Sequence, residues 1–389
     1  MVKIKTDNKK EMDAEAFILG DVVPSAPPAN LMNLQQPPSY EEATQGRAPE
    51  WFAPSNEKAL PSTSANSLYE VKKHSPTDIE INSRNFRNIS IVANKFWAKV
   101  HMRPSPSSTD PYLRVTAQAK SSINLARIYL DIETSSNDIC VKLRGEYTLC
   151  GVSLDIVIPQ GIFVPAEFSV STNMAEITME DMQNTLMKRI ELTTKHAPIH
   201  CKRLRADEIS LKTSNASIEG DYEATQYLRA RTSNAKIRGR YISKSDAVHL
   251  ETSNASLKAT VAGKNVELKT SNAELDVAAQ VNSRFEAKTC NASLKALVSV
   301  PENQYVNLKV QTSCAAAHVD VSREFLGKFK VKTSNGEVFI HDLSRVTNPP
   351  EIMFDTKTST KVEGTRGGLE HASSLEVKTN CANATVNFV

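Results

Sequence analysis

Ile209-Ser-Leu211-Lys-Thr213-Ser-Asn215-Ala-Ser-Ile218 recurs as Leu228-Arg-Ala230-Arg-Thr232-Ser-Asn234-Ala-Lys-Ile237 and as Val248-His-Leu250-Glu-Thr252-Ser-Asn254-Ala-Ser-Leu257. Thr270-Ser-Asn272-Ala and Thr289-Cys-Asn291-Ala continue the series. Degenerate copies stand at Thr312-Ser-Cys314-Ala, Thr333-Ser-Asn335-Gly, Thr358-Ser-Thr360 and Thr379-Asn-Cys381-Ala, with earlier traces at Thr134-Ser-Ser-Asn137, Thr172-Asn173 and Thr193-Thr194. From Asn215 to Asn335 the third position advances by 19, 20, 18, 19, 23 and 21 residues. A period of this size means stacked supersecondary units, each too small to bury its own apolar face.

The flanks say what each unit is. Two and four residues before the Thr the side chain is apolar: Ile209 and Leu211, Leu228 and Ala230, Val248 and Leu250, Phe285 and Ala287, Phe329 and Val331. That alternation belongs to a strand with one buried face. The apolar position returns three residues after the Asn, at Ile218, Ile237, Leu257, Leu275, Leu294 and Val338. Its parity has shifted by one, so the Thr-Ser-Asn unit is a corner and not continuous strand. The fold class expected is all-β: a single-chain β-solenoid of about 19–25-residue coils, on the order of eleven in number, with polar ladders at the corners. Helical periodicity is scarce. The best run is Met179 to Leu192, where Met182, Leu186 and Ile190 fall at i, i+4 and i+8, and a helix or a loop leading into a strand is expected there.

The repeat region resembles the adhesin-type β-solenoid family, whose turns carry TSNG. Lys332-Thr-Ser-Asn-Gly-Glu-Val-Phe-Ile340 is most similar to that pattern, and Val152-Ser-Leu-Asp-Ile-Val-Ile-Pro159 resembles the segment placed ahead of the regular coils. The resemblance covers roughly residues 120 to 389 and implies a role in adhesion, with no catalytic residues to transfer. Most copies here have Ala where the family favours Gly, so the corner need not use φ > 0.

The organisation expected is a disordered Pro-rich tail over 1–83, a β-rich cap or first coils over 84–130, and the repeat domain over 131–389. Between Pro24 and Pro61 stand eight prolines among Ser, Asn, Gln, Ala and Glu, a composition that cannot bury enough surface to offset its ordering entropy. Residues 1 to 70 carry six basic and ten acidic residues, net −4, so the body carries +7 and the whole chain +3. The near-balance of 47 basic and 44 acidic residues gives no global field for nucleic acid. The N-terminus carries charge without a signal-type apolar run, and the most apolar stretch, Leu149 to Val170, is broken by Asp155, Pro159, Pro165 and Glu167. No membrane span and a cytoplasmic location, peripheral at the endosome or plasma membrane, are therefore expected.

The tail carries two short motifs. Pro37-Pro38-Ser39-Tyr40 fits the PPxY ligand of WW domains, with Pro37, Pro38 and Tyr40 as the contact residues; Glu41-Glu42-Ala43 continues it in the manner of ubiquitin-ligase adaptors. Pro24-Ser25-Ala26-Pro27 resembles the P[ST]AP motif bound by the UEV domain of the first ESCRT complex. Together they point to a non-enzymatic adaptor recruiting WW-type ubiquitin ligases and ESCRT. An adhesin is the alternative. A self-assembling structural protein is the second alternative, because Ala384-Thr-Val386-Asn-Phe388-Val389 ends the chain on a strand pattern with a free edge.

Other signals are weaker. The six cysteines, Cys140, Cys150, Cys201, Cys290, Cys314 and Cys381, contain no CxxC pair, so neither a disulfide framework nor a zinc site is expected; a cross-rung disulfide among Cys290, Cys314 and Cys381 is conceivable only in an oxidising compartment. His196 and His200 precede Cys201, but Pro198 forbids the helical turn that would align them for a metal, and no cofactor is expected. Glu274 and Asp276 alternate with Leu275 and point outward. Sequons at Asn215, Asn254, Asn291 and Asn383 are read as corner chemistry, with one more at Asn88 outside the pattern; in a secreted chain these would be glycosylation acceptors. Arg229, Arg231, Lys236, Arg238 and Arg240 read as a solvated face.

Overall fold

The computed structural model describes residues 71–94, 97–119, 127–145, 150–161, 164–344, 350–367 and 372–389. The chain divides into Met1–Ser64 and Ala65–Val389, and every described residue lies in the second unit. The strands in chain order begin with β1 (Val71–Ser75), β2 (Asp78–Asn82), β3 (Asn88–Ala93), β4 (Trp97–Pro104), β5 (Tyr112–Ala119), β6 (Ile128–Ser135), β7 (Asp138–Gly145) and β8 (Cys150–Ile158). The regular coils follow as β9 (Glu167–Thr172), β10 (Glu176–Thr193), β11 (Ile199–Lys212), β12 (Ile218–Arg231), β13 (Ile237–Ser243), β14 (Ala247–Glu251), β15 (Leu257–Lys269), β16 (Leu275–Lys288), β17 (Leu294–Ser299), β18 (Asn307–Gln311) and β19 (Ala317–Val321). The chain closes with β20 (Gly327–Lys332), β21 (Val338–Asp342), β22 (Ile352–Lys357), β23 (Lys361–Arg366), β24 (Ser373–Lys378) and β25 (Ala384–Phe388). β1 and β2 pair with each other, and β2 with β5, so residues 71–82, inside the stretch read as tail, belong to the sheet.

Two parallel sheets face each other across the core. One leads into the Thr-Ser-Asn corner and the other leaves it. A long strand such as β11 or β12 contributes its first half to the exit sheet and its second half to the next entry sheet, bending where its register with the neighbour shifts. Twelve rungs stack in the order β7–β8, β3–β4, β9–β10, β10–β11, β11–β12, β12–β13, β14–β15, β15–β16, β16–β17, β18–β19, β24–β25 and β20–β21. The inward residues of both sheets are the alternating apolar positions, with Ile209, Leu228, Leu250, Leu257, Leu268, Leu275 and Leu294 fully buried.

Two expectations fail here for physical reasons. Met179–Leu192 is not helical; it belongs to β10, an 18-residue strand that bends between the two sheets. Alternation restarts after the bend, so Met182 and Ile190 are buried while Leu186 is 62% exposed. Nor is the terminal strand a free edge. β25 lies between β19 and β21, and β24 between β18 and β20, each parallel to both neighbours. The chain's last rung is thus next to last in space. The N-terminal end mirrors this, because β3 lies between β7 and β9.

Antiparallel strands flank the stack. β6 pairs with β7 and β5 with β8 at one end, and β23 followed by β22 pairs with β20 at the other. Thr134-Ser-Ser-Asn137 and Thr358-Ser-Thr360, read as degenerate corners, are the hairpin connections β6–β7 and β22–β23. Arg366 of β23 plugs the C-terminal end of the core. Its side chain is fully buried, 3.3 Å from Asp342, donating to the carbonyls of Arg323 (2.6 Å) and Phe325 (2.9 Å) and lying 4.9 Å over the Phe388 ring.

One glycine pair matters for the stack. Gly220 and Gly239 occupy the same column, and a Cβ on Gly239 would meet the Gly220 carbonyl oxygen at 1.9 Å. Their φ of +150° and +138° suits glycine, and beyond them the buried Tyr222 and Tyr241 rings stack at 5.2 Å. Arg366→Ala should lower unfolding free energy by about 2–3 kcal/mol, because it empties a buried, carbonyl-bonded guanidinium site; urea titration would show a lower midpoint with an unchanged slope.

Candidate functional site: the corner edge

The corners from Thr232 to Thr312 follow one hydrogen-bonding rule, whereas the buried Thr213 hydroxyl has no partner among the described residues. The Thr side chain is buried, as at Thr232, Thr252, Thr270, Thr289 and Thr312. Its hydroxyl donates to the corner-Ala carbonyl of the preceding rung: Thr232 to Ala216 (3.2 Å), Thr252 to Ala235 (3.1 Å), Thr270 to Ala255 (3.4 Å). The Asn backbone N–H donates to the Ser carbonyl one rung back, as in Asn254 to Ser233 at 2.9 Å. The only non-glycine residue with positive φ among the described residues is Asn303, so the Ala corners need no left-handed residue. Gly336 has a different reason. A Cβ there would lie 2.5 Å from the Ala382 carbonyl.

Outside the buried Thr runs an amide ladder. Asn234 donates to Asn215, Asn254 to Asn234 and Asn272 to Asn254, each at 2.7 Å, and Asn291 to Asn272 at 2.8 Å. His196 ends it, its Nδ1 2.9 Å from the Asn215 amide. His196 therefore sits at the corner, whereas His200 lies between Glu176 (4.0 Å) and Glu219 (3.9 Å) on the exit sheet. Cys201 turns inward, where burial pushes its thiol up to about 12. The three diverge, and no group of metal-holding side chains occurs among the described residues. The sequon residues Asn215, Asn254 and Asn291 spend their amides on the ladder, Asn88 donates to Asp138, and Asn383 accepts from the Glu337 N–H.

Beside the ladder runs a column that the repeat reading passed over. The residue immediately before each corner Thr pairs in register from rung to rung: Lys212, Arg231, Glu251, Lys269, Lys288, Gln311, Lys378, Lys332 and then Lys361 of the cap. Reading that single position through the copies would have found it. Arg231 pairs with Glu251 (3.4 Å) and Lys332 with Glu376 (3.7 Å). A hydrogen bond to Glu267 raises the Lys269 pKa, and the same bond lowers that of Glu267. Lys212, Lys288 and Lys378 make no ion pair among the described residues. Lys361 pairs with Glu363 at 2.8 Å, so the uncompensated positive charges of the column are those of Lys212, Lys288 and Lys378; like charges directly opposite across a ladder oppose strand pairing. The arginine group of the sequence reading is split: Arg229 and Arg231 lie before the corner, Arg238 and Arg240 after it, with Arg240 paired to Asp221 at 3.1 Å.

Concave features elsewhere are shallow. One, about 580 Å³, lies near β3, β7 and β9 and collects Glu133, Asp138 and Glu167. Glu133 is taken by Lys142 and Asp138 by Asn88. On the exit sheet Asp155 joins Arg103 (2.9 Å) and His101 (3.1 Å); burial raises its pKa, but those partners outweigh it and hold it below the usual carboxylate range. Pro24–Pro27 and Pro37, Pro38 and Tyr40 lie outside the described residues.

No protein-family model matches the chain, and no curated protein matches it. Solved structures do. A candidate adhesin from Parabacteroides merdae is 8% identical over 83% of this chain and 97% of its own, with a TM-score of 0.30. A candidate adhesin from Bacteroides fragilis is 9% identical over 82% and 98%, with a TM-score of 0.27. A candidate cell-adhesion protein from Clostridium sporogenes is 9% identical over 81% and 100%, with a TM-score of 0.18. These likenesses transfer no residue role.

Replacing a buried corner hydroxyl should cost more than removing an exposed amide. Thr252→Val should destabilise by about 1–2 kcal/mol and Asn254→Ala by about half as much or less, read as shifts in the urea midpoint.

Proposed function

We propose that this protein is a non-enzymatic binding scaffold of the adhesin type, whose corner edge holds an extended acidic polysaccharide. The observation that carries the reading is register. Basic side chains recur in one column at the inter-strand spacing of about 4.8 Å, flanked by the ladder of Asn amides. A linear polyanion meets many such charges at once, and its hydroxyls find amide donors and acceptors alongside. Each contact is weak, and the sum over rungs supplies affinity that falls with salt.

Binding of a sulfated linear polysaccharide, measured by calorimetry at two salt concentrations, tests this. Lys288→Glu with Lys378→Glu should weaken it about tenfold or more while leaving the thermal midpoint within a few degrees. Unchanged affinity in the folded double variant would remove the column from the binding surface.

A second reading rests on the tail. Pro37-Pro38-Ser39-Tyr40 supports recruitment of WW-domain ubiquitin ligases, and Pro24-Ser25-Ala26-Pro27 an ESCRT UEV subunit, which would make the scaffold a cytoplasmic adaptor at the endosome or plasma membrane. Tyr40→Ala in the full chain should abolish binding to an isolated WW domain without changing the solenoid's circular dichroism; equal affinity for both forms would retire the adaptor.

A further inference from the structure

The amide ladder stops where the chain changes its stacking order. After Asn291 the ladder position is filled by Cys314, in the next rung by Cys381, and in the outermost rung by Asn335. The two cysteines are separated by 67 positions in sequence, yet they are direct neighbours in space. Each lies three residues before a register-matched pair, Ala317 and Ala384. The backbone bonds agree, because the Cys381 N–H donates to the Ser313 carbonyl at 3.1 Å, as Asn234, Asn254, Asn272 and Asn291 do to the Ser one rung back. Both are free and exposed.

We infer that Cys314 and Cys381 form a reversible cross-rung disulfide that locks the inserted terminal rung into the solenoid. The Asn pairs measure the site. At equivalent positions of adjacent rungs the side chains already touch, at 2.7–2.8 Å between amide atoms. A rung spacing of about 4.8 Å sits within the 4.4–6.8 Å Cα window of a disulfide, whereas Cβ atoms at that spacing must approach by up to about 1 Å. The corner is exposed and can draw in, and the residual strain makes the bond easier to reduce than an ordinary structural one.

The chemistry requires a small-molecule disulfide, such as glutathione disulfide. One cysteine thiolate attacks it, its S–S bond breaks, and the first small thiol leaves with a proton. The second cysteine attacks the protein sulfur of the mixed disulfide and expels the second thiol. Two protein thiols are oxidised and one disulfide is reduced to two thiols. The product encloses the outermost rung and the β22–β23 cap in a covalent loop. The rung can then leave the stack only together with that loop.

The full-length protein, equilibrated in glutathione buffers of graded potential, acid-quenched, alkylated and mapped by peptide mass, tests the assignment. The expected product is a Cys314–Cys381 linked peptide with two fewer alkylated thiols and a thermal midpoint higher by roughly 5 °C. Cys290→Ser should retain the link. Cys381→Asn, which restores the ladder residue, should lose it and carry glutathione on Cys314. Separate glutathione adducts on both cysteines of the unaltered protein, a link through Cys290, or two free thiols in the most oxidising buffer would each overturn the assignment.

Discussion

The regular coils depend on one constraint: from Thr232 to Thr312, and again at Thr333, the buried corner hydroxyl finds the Ala carbonyl of the rung beneath it. Thr379 turns instead to the Ala382 carbonyl of its own corner, and the buried Thr213 hydroxyl has no partner among the described residues. The Thr sits where the entry sheet ends, inside the core, and an unpaired hydroxyl there would cost about 1–3 kcal/mol. Satisfying it requires the preceding corner to have the same shape at the same height. The bond from Thr252 to Ala235 therefore fixes the register of both sheets around it. Apolar burial supplies most of the stabilisation, but aliphatic side chains alone would tolerate slippage. The corner does not.

This explains what could be read from sequence. The alternation before Thr213 and its copies, with the parity change at Ile218, contains both sheets and the corner, because each rung is a local unit that neighbours merely repeat. Near Met182 local reading failed because a bend between two alternating runs imitates a four-residue spacing; the exposure of Leu186 resolves it. The stacking order at the ends was not legible at all. Sequence order places the Asn335 corner after Cys314, whereas the ladder places Cys381 there, and only long-range pairing distinguishes the two. The basic column was legible in principle, since it occupies a fixed position before each Thr.

Inside and outside the corner answer to different pressures. The Thr column is uniform because the core leaves no alternative. The column beside it is free to vary, holding Glu251 and Gln311 among its lysines, and this freedom makes its basic character a property of the surface and not of the fold. The Asn ladder lies between these extremes: exposed, yet continuous over five rungs from Asn215 to Asn291.

The inserted rung also sets a timetable. In an ordinary solenoid each coil docks as it emerges from the ribosome, adding to a growing end. Here Gly327–Asp342 is made before the rung that must lie beneath it, so it waits without a seat until Ser373–Phe388 has been synthesised. Ser373–Phe388 is the keystone. A chain cut short before it lacks more than one coil, because the outermost rung loses both of its parallel partners, β24 and β25, at once.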